Sequence, residues 1–261
     1  MEKIKMTKTN YTRQLDWYNP ATDVNKVLII GAGSLGSYTA FLLARMGKNN
    51  FTLCDPDRVE EHNFPNQFFD AYCKVGMTKT QCDSNTISAF DNSLSIYPIN
   101  NKIENQIQIL SDYTVVIITV DNQQTRKTVF EHLLLNRGRC NLLIDASSAG
   151  QYANIKICNL TNSGSILSYK KQLWTEDEAS HLPCTGKSIC DMSAIIAGWV
   201  VNAYRHYTSG DLTWMWIFID GTNGTSYVMQ PAKAPNDNPQ KTVPPPSEPD
   251  EDGETDDEGE R

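Results

Sequence analysis

Residues 26 to 57 read KVLIIGAGSLGSYTAFLLARMGKNNFTLCDPD, and this stretch limits the fold of the chain more than any other. Val27 to Ile30 form an apolar run too short for a helix, and Gly31, Gly33 and Gly36 follow at the spacing G-x-G-x-x-G. That order predicts a buried strand, a tight turn and a helix. The glycines serve three different purposes, since the first permits the turn, the second admits a phosphate to bare backbone, and the third lets the helix pack closely on the strand. The free N–H groups at the start of such a helix carry about half a positive charge and face the anion. Leu35, Thr39, Leu42, Leu43 and Met46 recur at helical spacing and bury one face, Gly47 stops the helix, and the next strand delivers Asp55 to where a ribose would lie. The stretch therefore reads as a nucleotide site in an α/β sheet. Taken alone it fits ATP, but favours NAD or FAD.

The remaining composition narrows the class. With 261 residues, 39% of them hydrophobic, the chain can bury one good core, and one domain is expected. No apolar run reaches the ~18 residues of a membrane span, and the start MEKIKMTKTNYTRQ lacks the apolar core of a signal peptide, so the expectation is a cytoplasmic protein with no membrane contact. Seven cysteines from Cys54 to Cys190, without a C-x-x-C pair, suit reduced thiols better than a disulfide frame or a zinc site. The net charge of -8 resides wholly in the tail, because Ser247 onward holds nine acids and one arginine and leaves 22 acids against 22 bases elsewhere. Such a balanced body excludes nucleic acid as the expected partner.

Beyond the glycine turn, chemistry-bearing residues recur at strand ends. The segment DPDRVEEHNFPNQFFDAYCKVGMTKTQ carries Asp55, Asp57, Asn63, Gln67, Gly76 and Lys79. Tyr113 to Val120, YTVVIITV, reads as a central parallel strand ending in Asp121-Asn122, with Arg126 shortly after. Ligands of doubly wound sheets collect at the carboxyl ends of strands, so Asp55, Lys79 and Asp121 are expected in one crevice. By itself Lys79 would read as a surface lysine at the start of a helix, and Asp121 as a helix cap. Leu142 to Ala146 is a further strand, Gln151 to Cys158 alternates like a half-exposed antiparallel one, and Trp214 to Asp220 with Ser226 to Gln230 flank the hairpin turn G-T-N-G. Between these strands a polar loop carries His181, Cys184 and Lys187 and runs into an apolar helix of about 20 residues from Ser188. In that helix Ile195, Ile196, Trp199, Val200 and Ala203 read as core or dimer contacts. A thiol near a helix N-terminus can be acidified, and a buried one is inert. Residues 7 to 20 form a short arm in which Arg13 is by itself a solvated charge, with Tyr11, Leu15 and Trp17 as packing anchors.

Over about residues 10 to 160 these motifs, in this order, resemble the ThiF/MoeB and ubiquitin-activating-enzyme family. The resemblance implies an α/β, Rossmann-like fold whose parallel nucleotide-binding half continues into a mostly antiparallel half. The chain then divides into an arm over 1–25, an adenylation domain over 26–231 and, where apolar residues run out, a disordered, proline-rich acidic tail over 232–261. The resemblance also implies that ATP is held by Gly31, Gly33, Gly36, Asp55, Asp57, Asn63, Gln67 and Lys79, with Asp55 on the ribose, Lys79 on the phosphates and Asp121 on Mg²⁺. The family pattern Asn-x-x-Arg-Gln appears here as Asn63-Phe64-Pro65-Asn66-Gln67, so an amide replaces an arginine beside the phosphates. Tyr11-Thr12-Arg13-Gln14 keeps the family's Tyr-x-x-Arg-Gln run, whose arginine is lent to the neighbouring subunit, and so implies a homodimer. Family members that carry their product onward use a cysteine after the nucleotide half, which makes Cys184 the first candidate acceptor and Cys190 the second. The implied reaction is ATP-dependent adenylation of the C-terminal carboxylate of a ubiquitin-like or sulfur-carrier-like protein. Thioester transfer to a cysteine, with a conjugating enzyme as a further partner, is the step that could follow. Without a zinc cysteine frame or large extra domains, the chain fits a small bacterial or phage-associated pathway. Two alternatives stay open: a catalytically silent scaffold of a heterodimer, which would explain Asn66, and a nicotinamide or flavin oxidoreductase, which would leave Lys79 and Asp121 unexplained.

Overall fold

The computed structural model describes residues 9–136, 138–175, 189–213 and 216–229. In chain order the strands are β1 (Val27–Ile30), β2 (Phe51–Cys54), β3 (Ile96–Ile99), β4 (Val115–Ile118), β5 (Leu142–Ala149), β6 (Tyr152–Asn159), β7 (Trp216–Asp220) and β8 (Thr225–Met229). The α-helices are α1 (Ser34–Arg45), α2 (Lys79–Phe90), α3 (Gln123–Leu135), α4 (Ser163–Thr175) and α5 (Cys190–Ser209). Among the described residues the strands form one sheet ordered β3-β2-β1-β4-β5-β6-β7-β8. β3 through β5 pair in parallel, and from β5 to β8 every pairing is antiparallel. The change of sense falls where the alternating pattern of residues 151 to 158 places it.

Helices cover both faces of the parallel half, which is why every residue of β1, β2 and β4 is buried and their sequences read as continuous apolar runs. Side chains alternate across the sheet, so Val27 and Ile29 join one core with α1 and α5, while Leu28 and Ile30 join a second with α3 and α4. On α1, Leu35, Thr39 and Leu43 are buried and Leu42 and Met46 half-buried, and Gly47 ends the helix at φ 88° as its composition predicts. On α5, Ile196, Val200 and Ala203 enter the core, whereas Ile195 remains exposed. Asp23, just before β1, accepts from the hydroxyls of Tyr18 and of Tyr204 on α5 and pairs with Lys48, which ties the entry to β1 and the turn after α1 to α5.

Two elements were not legible beforehand. β3, IYPI, contains a proline that a central strand would not tolerate, but it lies at the sheet edge where the missing N–H is harmless. α4 arises from a mixed polar segment whose apolar face is short. One expectation is corrected: Cys73 and Cys82, nine residues apart, are joined in a disulfide, because the turn before α2 brings the two together inside a small cluster with Val59. No helix among the described residues is long and apolar enough to cross a membrane.

Candidate active site

Ile30 lies opposite Cys54 on one side and Ile118 on the other, so Gly31, Asp55 and Thr119 all leave the sheet at one edge. β1 lies between β2 and β4, so the strand order turns here, where ligands of open α/β sheets bind. The three glycines serve different ends. Gly31 has φ 102°, and a Cβ there would lie 2.9 Å from the Thr119 Oγ1, a hydroxyl that donates to the Gly31 carbonyl at 3.0 Å. A Cβ on Gly36 would collide with the same carbonyl, whereas one on Gly33 would meet nothing within 4 Å. Gly33 is the N-cap of α1, with no side chain to satisfy the first N–H groups, so bare backbone faces open space at a positive helix end. Asp55 is buried beside it, its Oδ2 accepting from the Ala32 N–H at 2.7 Å and its Oδ1 from the Asp57 N–H at 2.8 Å. Burial pushes its carboxyl above the ordinary value, and the two N–H bonds and Lys79 oppose that rise.

Lys79 is positioned by a short zipper. The Val59 N–H donates to Met77 O at 2.8 Å, the Gly76 N–H to Val59 O at 2.8 Å, and the Lys79 N–H to Asp57 O at 3.0 Å. These bonds fold residues 57–59 against 76–79 and leave the Lys79 Nζ 2.7 Å from Asp57 Oδ2. The lysine side chain is only 12% exposed against 61% for Asp57, so it is not a solvated surface lysine. The loop between holds the next three candidates. Asn63 is buried, with its Oδ1 accepting from the Glu60 N–H at 2.8 Å. The carbonyl of Asn66 accepts from Ser34 Oγ at 2.5 Å, which places this residue beside the first turn of α1, where the family arginine is missing. Gln67 is buried, and its Oε1 has no hydrogen-bond partner.

Asp121 is exposed just beyond β4, at the same sheet edge. It is not the helix cap: Asn122 caps α3, its Oδ1 accepting from the N–H groups of Gln124 at 2.8 Å and Thr125 at 3.2 Å. Arg126 turns inward, bonding Asp145 and the carbonyls of Val120 and Ala146, and Tyr169 donates to Asp145 at 2.8 Å. That buried knot was not foreseen. The spacing of Arg126 after the strand gave a position, but nothing in the sequence paired it with an acid 19 residues on.

Arg13 is elsewhere. Gly47 lies against the ring of Tyr11, whose hydroxyl donates to Asp91 at 3.3 Å, and the Gln14 side chain donates to Met46 O at 2.6 Å. Both anchors lie at the C-terminal end of α1, about 18 Å of helix away from the glycine turn for 12 residues at 1.5 Å each. Arg13 is therefore held exposed at the opposite end of α1 from Gly33 in its own chain. Cys184, like His181 and Lys187, lies outside the described residues. Cys190 opens α5 and is exposed. Burial pushes the thiols of Cys54, Cys140 and Cys158 up to about 12, too high for a nucleophile at neutral pH.

A glycine turn after β1, a buried acid after β2, a clamped lysine on α2 and an exposed acid after β4 gather at the switch point of a Rossmann-like α/β sheet extended by antiparallel strands. The chain belongs to the ThiF family, whose model matches residues 20–243. It is 30% identical over 141 residues to the "Adenylyltransferase and sulfurtransferase UBA4" of Candida glabrata, a match that covers 53% of this chain and 32% of that protein. The chain thus spans about a third of the length of this curated relative. Two solved structures share the fold: PaaA, at TM-score 0.64 and 16% identity over 84% of this chain and 75% of that one, and E. coli MccB with ATP, at 0.62 and 17% over 82% and 65%.

Proposed function

We propose that this protein uses ATP to adenylate the C-terminal carboxylate of a ubiquitin-like or sulfur-carrier-like protein. The observation that carries the reading is the Lys79 ammonium, clamped by Asp57 at the edge where Gly33 leaves backbone open. A dinucleotide oxidoreductase accounts for the glycine turn and Asp55 but gives that lysine no work. Attack of a carboxylate oxygen on the α-phosphorus forms an acyl adenylate, breaks the bond to the β-phosphate oxygen and releases pyrophosphate. The approach of two anions must be neutralised, and here the α1 N-terminus, Lys79 and a magnesium ion at Asp121 would do so. No group of three or more His, Cys, Asp or Glu among the described residues is arranged to hold a metal. An ion at Asp121 would thus draw most of its oxygens from phosphate and water, which suits Mg²⁺. Asp55 keeps lone pairs for a ribose hydroxyl beyond the two N–H bonds it accepts. The names of the UBA4 relative and of the ATP-bound MccB support adenylyl chemistry for a chain of this fold.

Arg13 serves the ATP of a second copy in a homodimer, a role supported by its distance from its own glycine turn. A thioester on Cys184 or Cys190 would be a later step. Asn66 favours a second reading, a silent scaffold, because a cation is lacking where phosphates would lie. Isothermal titration with Mg-ATP and with NADH tests the proposal. Tighter binding of Mg-ATP is expected, with pyrophosphate exchange lost in Lys79→Ala and Asp121→Ala once a protein substrate is supplied. Tighter NADH binding, or an unimpaired Asp121→Ala, would overturn it.

A further inference from the structure

One helical turn beyond Lys79 on α2 stands a carboxyl with no partner. Asp83 is buried, and neither of its oxygens has a hydrogen-bond partner. Thr80 Oγ1, on the same first turns of α2, and Gln67 Oε1 are likewise buried and unpartnered. An ionised carboxylate is rarely buried without a cation or N–H groups, because desolvation costs more than any neutral partner returns. Residues four apart on a helix are neighbours, about 5–6 Å between their Cβ atoms, so the nearest cation along the helix is Lys79. Lys79 is bonded instead to Asp57, whose side chain is 61% exposed.

We infer that Asp83 is a positioning residue that governs how much of the Lys79 ammonium is available at the site. Protonated, Asp83 leaves the ammonium to Asp57 and, on the reading proposed above, to phosphate. Ionised, it draws the ammonium toward the helix interior and withholds it. The charged groups that act on it are Asp55 at the end of β2 and Lys79 on its own helix: burial first, then the Asp55 charge, raise its carboxyl well above the ordinary value, and Lys79 opposes them. α1 brings only Arg45, at its far end. In the 57–78 segment Arg58, Glu60, Glu61, His62 and Lys74 are exposed, and Asp70 accepts from the N–H groups of Tyr72 and Cys73.

The test is Mg-ATP affinity at pH 6 and pH 9 in the wild type and in Asp83→Asn. The wild-type affinity should fall about tenfold more over that range than that of the variant, because only the wild type ionises a carboxyl that competes with phosphate for the ammonium. Equal falls would overturn the inference. A second measurement needs no nucleotide: carbon-13 NMR of the apo protein should show the Asp83 carboxyl titrating above the ordinary carboxylate range, and higher still in Lys79→Ala. A midpoint in the ordinary range, or one unmoved by that substitution, would overturn it too. A protein with the coupled titration but no ATP binding at any pH would keep the Asp83–Lys79 pair and sink the nucleotide reading alone.

Discussion

A methyl group on Gly33 would meet nothing within 4 Å, whereas one on Gly36 would strike the Gly31 carbonyl, so the two positions should separate binding from folding. Gly33→Ala should lower stability by about 1 kcal/mol or less, since glycine is a favoured N-cap and alanine a poor one, yet weaken ATP binding, because the methyl occupies the open approach. Gly36→Ala should cost about 3 kcal/mol or more through overpacking. Urea unfolding beside ATP titration reads both, and equal losses of stability would refute the division of labour. Asp83 gives a prediction of opposite sign to the usual aspartate. Its folded pKa is raised, so its contribution is fully present below the unfolded value near 3.9 and is lost as pH climbs through the folded value. Each unit of that rise removes about 1.4 kcal/mol once the group ionises. Asp83→Asn should therefore gain on the wild type in urea melts as pH rises above the unfolded value of about 3.9, until the folded carboxyl itself ionises, and a constant gap would contradict it. The glycines, Asp55 and Lys79 were legible because their spacing follows from local backbone geometry. Asp83 was not, since an acid on a helix looks the same whether it faces water or the core.

At the scale of elements, the segment from Asp57 to Lys79 behaves as one unit: a zipper at its mouth, a disulfide to α2 at Cys73 and a hydrogen bond from Ser34 to the Asn66 carbonyl. The Asn66 backbone is held independently of its side chain, so Asn66→Arg should keep the loop and add a cation beside the first turn of α1. Pyrophosphate exchange should then hold or rise. Inert protein in both forms would favour the scaffold over the enzyme. β1, β4 and the β7–β8 hairpin could be read from sequence because buried parallel strands are unbroken apolar runs and G-T-N-G has the composition of a turn. β3 and α4 could not, since β3 is a half-exposed edge strand interrupted by a proline, and α4 buries only the narrow stripe Ser165, Tyr169 and Leu173 within an otherwise polar segment.

For the whole molecule, the placement of Arg13 decides how many chains make one site. The anchors of the arm, Tyr11 on Gly47 and Gln14 on Met46 O, put the Tyr-x-x-Arg-Gln run at the end of α1 remote from its own glycine turn. The sequence indicated a short tether, but only the packed arm shows which end of the helix it meets, because that contact joins residues more than thirty apart in the chain. Exposed Leu15 and Trp17 follow the arginine and offer apolar area to a second copy. In such a dimer Arg13→Ala and Asp121→Ala proteins, each inactive alone, damage opposite sides of every site. Mixing them in equal amounts makes half the dimers hybrid, each with one site that carries both groups intact, so up to about a quarter of all sites should recover exchange activity. Tagged pull-down would establish that subunits have exchanged. No recovery after proven exchange would mean that Arg13 serves no neighbouring site.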